Sequence, residues 1–179
     1  MKKRDVNPVP IAYRGKMITA HFSYDELLRS SVAEWRNRYA SVNDRKYVPI
    51  LNAPGAEEMT NLKHLAEQLE WLRERVGAPL NINSGYRSKT INYLVGGSMT
   101  SRHLFGLAAD IRCSDLKTCA AIARRAVANK YAAEVLISCL GEKGAETWWL
   151  HFSVFPEGVQ GRPRFGVDIN GLIAAFRVA

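Results

Sequence analysis

The predicted fold is organised around residues 101–110, which have the sequence SRHLFGLAAD. His103 and Asp110 are seven residues apart in this stretch, and Gly106 lies between them. Two ligands on one helical face would be about three or four residues apart, so the spacing favours a turn that leads into an extended strand. An imidazole and a carboxylate brought together in this way supply two of the three protein ligands of a catalytic zinc site.

The third ligand that we predict is His151, in the apolar and aromatic run WWLHFSV at residues 148–154. Such a run is typical of a buried strand. A plainer interpretation uses the same residues, with His103 in a turn, Asp110 at a cap and His151 as a hydrogen-bonded core histidine. Spacing alone does not separate the two interpretations.

A family resemblance favours the metal site. The motif Ser-x-His-x-x-Gly-x-Ala-x-Asp at residues 101–110, followed by Trp-x-x-His at 148–151, resembles the zinc D-Ala-D-Ala carboxypeptidases, their phage endolysin relatives and the hedgehog-like zinc peptidases. The upstream motif NSGYRS at 83–88 is similar to the same family and occurs in the same order. The resemblance extends from about residue 18 to residue 154.

The resemblance implies that His103, Asp110 and His151 bind Zn²⁺ and that the protein hydrolyses peptide bonds in peptidoglycan stem peptides. It gives Arg87 a catalytic and substrate-binding role, because a guanidinium can hold a substrate carboxylate with two parallel hydrogen bonds. The further substrate-binding residues that we predict are Ser101, Tyr86 and Trp149. Ordinary packing in a small core is the alternative for the two aromatic side chains.

Peptide hydrolysis also requires a general base for the attacking water and an acid for the leaving amine. The family resemblance implies a carboxylate or a histidine about three residues before the last zinc ligand, but Trp148 occupies that position here. We predict Glu146, five residues before His151, as the general base, with Glu142 in reserve. The alternative for Glu146 is a solvated turn glutamate.

The order of the predicted elements indicates an α+β fold, in which a small antiparallel sheet is flanked by helices and carries the zinc site. Apolar residues recur at threes and fours from 57 to 76 and again from about 116 to 129, so both stretches are predicted helices. Strands are predicted at 79–84, 110–113, 133–138 and 148–154. Residues 1–17 are expected to form an extended arm and residues 18–179 a single zinc peptidase domain.

Composition narrows the possibilities further. The net charge of +8 favours polyanionic partners, among which the motifs favour the bacterial wall. The basic residues are scattered without a nucleic-acid-binding motif, so no nucleic-acid partner is expected. No apolar run predicts an integral membrane segment or a signal peptide, so we expect synthesis in the cytoplasm and action on the wall after release. The three cysteines have no paired spacing, and no disulfide is expected.

Two classes of function remain at this stage. The first is a monomeric zinc peptidase of phage or prophage origin, of the D-Ala-D-Ala carboxypeptidase or the L-Ala-D-Glu endopeptidase type. The second is a non-catalytic, zinc-containing module that binds the wall or forms part of a virion. The absence of a carboxylate three residues before His151 keeps the second class open.

Overall fold

Three α-helices lie in the first half of the chain. The computed structural model describes residues 5–43, 46–141, 145–169 and 172–175. Helix α1 spans Tyr24–Leu28, α2 spans Ser31–Asn43 and α3 spans Ala56–Val76. Helix α1 begins with a capping box, in which the backbone N–H of Glu26 donates to the Ser23 hydroxyl and that of Ser23 donates to the Glu26 carboxylate. Helix α3 ends at Gly77, which has a left-handed φ of 71°.

Residues 82–175 supply the sheet. The helices in this range are α4, at Lys89–Leu94, and α5, at Leu116–Ala126, and a 3₁₀ turn lies at Arg102–Phe105. The strands are β1 Ile82–Ser84, β2 Ala108–Cys113, β3 Ala132–Leu140, β4 Thr147–Val154, β5 Arg164–Ile169 and β6 Leu172–Ala175. The predicted α+β class is confirmed.

The six strands form one sheet in the order β1-β2-β4-β3-β5-β6. Every neighbouring pair is antiparallel except β3 and β5, which run parallel. Strands β3 and β4 form an antiparallel hairpin. Strands β5 and β6 come from the tail, where no strand was predicted.

The two faces of the sheet have different roles, because side chains alternate along a strand. On one face, Ile111, Val135, Leu150 and Phe152 are buried in the core that α3 and α5 cover. The residues between them, such as Asp110 and His151, therefore point to the opposite face. No helix in the described part of the chain is both long and apolar enough to cross a bilayer.

Residues 5–17, expected to form an extended arm, pack against the domain. The Val9 side chain is buried in the core, and the Pro8 carbonyl accepts a hydrogen bond from the backbone N–H of Asn52. The side-chain amide of Asn37 donates to the Val6 carbonyl. A 3₁₀ turn at Ile11–Tyr13 also interrupts the extended course.

Cys113 and Cys119 form a disulfide, so the prediction of no disulfide was wrong. Cys113 ends β2, and Asp115 caps α5 through the backbone N–H of Thr118. This tight connection turns the first part of α5 back over the strand and brings the two Cα atoms to 5.4 Å. Cys139 is a buried free thiol.

Candidate metal centre

Asp110 and His151 face each other across adjacent strands. They are direct partners in the register of β2 and β4. The Oδ1 atom of Asp110 lies 3.0 Å from Nδ1 of His151. Both side chains therefore meet on the sheet face that α3 and α5 leave uncovered.

His103 reaches the pair from the 3₁₀ turn just before β2. Its Nε2 atom lies 3.3 Å from Oδ1 of Asp110, and its side chain is only 3% exposed. Its Nδ1 atom lies 2.7 Å from the carbonyl oxygen of Gly85. Because a carbonyl can only accept, Nδ1 carries the proton, which leaves the Nε2 lone pair directed at the cluster.

Gly106 ends the turn that carries His103, with a left-handed φ of 70°. A Cβ atom at this position would lie 2.6 Å from the carbonyl oxygen of Glu58 and 3.1 Å from Cγ of Leu62. Glycine is therefore required here both by the backbone conformation and by the close approach of α3.

We expect Gly106→Ala to lower the free energy of unfolding by about 2–4 kcal/mol, since a left-handed φ and overpacking each cost about 1–2 kcal/mol. Gly77→Ala is the matched control, because Gly77 has nearly the same φ, 71°, but nothing within 4 Å of a Cβ atom. Urea unfolding of the metal-free proteins measures both changes. Equal losses in the two variants would contradict the packing argument.

The three side chains fit a zinc ion. Their ligand atoms all lie within 4.8 Å of one another. Ligands at about 2.0–2.2 Å from a tetrahedral zinc lie roughly 3.3–3.6 Å apart. The Oδ1 atom of Asp110 lies at similar distances, 3.3 Å and 3.0 Å, from the nitrogens of His103 and His151. Two imidazoles and one carboxylate also leave a bound Zn²⁺ with net positive charge and a coordination position for water or substrate.

The electrostatics of the metal-free cluster are governed by burial and by these contacts. Burial alone would raise the pKa of Asp110, but His103 and His151 outweigh it and hold that pKa well below its usual value. Burial alone would lower the pKa of His151, but its hydrogen bonds to Asp110 and Glu134 raise that pKa to about 9. Burial lowers the pKa of His103. At neutral pH the cluster thus holds neutral His103, protonated His151 and ionised Asp110.

Arg87 lies beside the cluster and contacts Asp110. Its Nη2 atom donates to Oδ2 of Asp110 at 2.5 Å, and its Nε donates to the Ser84 hydroxyl at 2.8 Å. These contacts fix the carboxylate so that Oδ1 faces the two histidines. The structure gives Nη1 of Arg87 no hydrogen-bond partner among the described residues, so that nitrogen can still bind a ligand in the adjoining depression.

Glu134, on β3, is a site residue that the sequence interpretation missed. Its Oε2 atom lies 3.4 Å from Nε2 of His151, on the far side of the ring from Asp110. The carboxylate also contacts Arg164 at 3.0 Å, the Ser153 hydroxyl at 3.3 Å and Arg102 at 3.7 Å. The hydrogen bond from His151 lowers the pKa of Glu134 to about 2. The sequence signal that could have identified Glu134 is its charge within the otherwise apolar run AAEVLIS.

Glu134 therefore holds the His151 ring with Nδ1 towards the metal position. We expect Glu134→Gln to weaken zinc binding about tenfold, the lower end of the effect of such supporting contacts. The zinc affinity should be measured at pH 9 by competition with a chelator. At that pH protons compete only weakly with zinc for His151 in both proteins. Glu157→Gln, a charge-matched change at an exposed turn, is the control and should bind zinc normally.

The remaining predicted residues divide into two groups. Ser101 and Trp149 line the depression of about 690 Å³ that contains His103, Asp110 and His151. Tyr86 does not line it: its ring is buried in the core and its hydroxyl donates to the Ala53 carbonyl at 3.4 Å.

Glu146 is not brought to the cluster. It lines a separate depression of about 330 Å³ with Asn81 and Arg112. Glu146 precedes β4, which begins at Thr147, and it lines neither of the two depressions that contain His151. This placement does not support its predicted role as the general base. Glu142, the reserve, lies outside the described residues.

The other two histidines have structural contacts. Nδ1 of His21 lies 2.9 Å from the Glu70 carboxylate. His64 is buried and packs edge-on against Tyr131. The strong amphipathic period of α3 places His64 next to the core face.

The fold and the site together define an α+β domain with a candidate metal centre, and comparison with known proteins gives its family. A model of the Peptidase M15 family matches residues 20–140, and the chain belongs to this family. The matched stretch includes Arg87, His103 and Asp110, while His151 lies beyond it.

One curated relative bears on the metal. The zinc D-Ala-D-Ala carboxypeptidase of Streptomyces albus G is 41% identical to this chain over 54 residues, 30% of this chain. The match covers 21% of that protein, so this chain spans about a fifth of the relative's length. Together with the donor set of His103, Asp110 and His151, this similarity identifies zinc as the cofactor.

Proposed function

We propose that this protein is a zinc metallopeptidase that hydrolyses peptide bonds in peptidoglycan stem peptides. The observation that carries the proposal is the buried cluster of His103, Asp110 and His151 on the floor of an open depression. The family and the zinc D-Ala-D-Ala carboxypeptidase relative support the reaction and the substrate class.

A bound zinc supplies a Lewis acid that polarises the peptide carbonyl and lowers the pKa of a bound water to about 7. The protein groups have distinct tasks around it. His103, Asp110 and His151 hold the ion, and Glu134 orients His151. The free nitrogen of Arg87 can bind a substrate carboxylate beside the cluster. Hydrolysis breaks the C–N bond, so the acyl carbon gains hydroxide and the amine gains a proton.

A specific observation favours a second candidate, a non-catalytic zinc module that binds the wall. Among the described residues that line the metal depression and the depression next to it, the carboxylates are Asp110 and Glu134. Asp110 belongs to the metal cluster. Glu134 is held by four partners, and its low pKa makes it a weak base.

The decisive experiment combines metal analysis with peptidoglycan digestion. The proposal expects about one zinc per chain, soluble peptide fragments by mass spectrometry, and loss of those fragments with a chelator. Zinc with wall binding and no fragments would support the module instead. A protein that binds no zinc would contradict both candidates.

We infer further that the enzyme acts as a phage or prophage endolysin. The net charge of +8 supports this role, because anionic wall polymers attract a basic protein. Lysis of chloroform-treated cells by added protein, weakened by salt, is the expected result. Absence of lysis by a protein that cuts purified peptidoglycan would contradict the endolysin role while leaving the peptidase role intact.

A further inference from the structure

A second depression adjoins the metal depression at His151. It has a volume of about 570 Å³, against about 690 Å³ for the first. Ser98, Ser101, Leu136 and His151 line both, so the imidazole stands where they meet. Each volume lies in the range of about 300–1,000 Å³ that holds a drug-sized ligand. A peptide bound across the metal position therefore has room for residues on both sides.

The second depression, which we call the arginine depression, has a distinctive charge. Three guanidinium groups line it, from Arg102, Arg162 and Arg164, and Glu134 is its only carboxylate among the described lining residues. Arg102 and Arg164 share Glu134 as their ion-pair partner. One carboxylate against three cations leaves excess positive charge facing the depression.

Of the three guanidinium groups, that of Arg162 is available to bind a ligand. It is exposed, and the described residues give it no hydrogen-bond or ion-pair partner. Arg164 is 63% exposed and contacts Glu134 through Nη1 alone. A planar guanidinium on an open wall suits a carboxylate, which it can bind with two parallel hydrogen bonds.

The sheet fixes how far the start of β5, two residues after Arg162, lies from the strand that carries His151. Strand β5, which begins at Arg164, is two strands from β4, with β3 between them. Two strand spacings are roughly 10 Å. That distance corresponds to about three residues of extended peptide.

We propose that the arginine depression is a second substrate subsite, which binds a free carboxylate about three residues from the bond that is cut. The site then cleaves bonds inside an acidic peptide and does not only remove its last residue. This inference rests on the proposed peptidase function and specifies its substrate class: muropeptides with ionised carboxylates on both sides of the metal position.

The test uses the zinc-loaded protein and two muropeptides, one with free carboxylates and one with those carboxylates amidated. We expect Arg162→Gln to raise KM about tenfold for the free acid, with kcat and zinc content unchanged, and to leave KM for the amidated peptide unaltered. Arg124→Gln is the matched control, since it removes the same charge from an exposed position on α5, on the helix side of the sheet. It should change neither KM.

Two results would overturn the subsite: equal effects of Arg162→Gln on both muropeptides, or no effect on either. Fragments with two or more residues on each side of the cut support internal cleavage, and release of single terminal residues contradicts it.

If the wild type cuts neither muropeptide, the proposed function fails, but calorimetric binding still tests the subsite. Tighter binding of the free acid that is lost in Arg162→Gln supports it, and identical affinities reject it.

Discussion

Replacing Asp110 with asparagine is expected to weaken zinc binding by more than about 100-fold, beyond the range for residues that only support a ligand. The change removes the anionic ligand while keeping the size of the side chain. It also leaves Arg87, whose side chain is 17% exposed, without its ion-pair partner. Stability of the metal-free protein should therefore fall by about 3 kcal/mol.

Two measurements separate these effects. Competition with a chelator gives the zinc affinity, and urea unfolding without metal gives the stability. Glu157→Gln, with the same charge change at an exposed turn, should alter neither. An Asp110→Asn variant that binds zinc with wild-type affinity would contradict the assignment of Asp110 as a metal ligand.

Zinc affinity of the wild type should rise about tenfold per pH unit well below pH 9 and more slowly near it, which gives roughly 50-fold between pH 7 and pH 9. The reason is that His151 must lose its proton to bind the ion, and its pKa in the metal-free protein is about 9. His103 contributes little to this slope, because its pKa is lowered. The measurement is chelator competition at several pH values, corrected for protonation of the chelator.

Stability of the metal-free protein should change in the opposite direction. The pKa of His151 is raised from 6.5 to about 9, so the stability that its ion pairs contribute is fully present below pH 6.5 and is lost as pH rises through 9. In Glu134→Gln, which removes one cause of the raised pKa, zinc affinity should stop rising at a lower pH. A flat affinity between pH 7 and pH 9 would show that His151 does not carry the proton.

The elements of the fold and the metal ligands were largely predictable from local sequence. Periodicity located α3 within one residue, and the motif at 101–110 identified a turn that leads into β2. The three candidate metal ligands were predicted because the motifs that carry them resemble a known family, since their spacing alone left structural roles open.

Contacts between distant strands were not predictable. Glu134 meets His151 only because β3 pairs with β4 in a particular register, which no local pattern records. Glu146 is near His151 in sequence, but extended chain carries it away from the site. The disulfide was missed because its formation depends on how α5 folds back over the end of β2.

The direct pairing of Asp110 with His151 makes metal binding sensitive to the alignment of two strands. A slip of β4 by one residue would move His151 to the core face and bring Leu150 or Phe152 opposite Asp110. Only the correctly aligned sheet can therefore gain the binding energy of zinc, which is about 4 kcal/mol when free zinc exceeds its dissociation constant about 1,000-fold. Zinc binding therefore favours the correct alignment of β2 with β4 over slipped alignments.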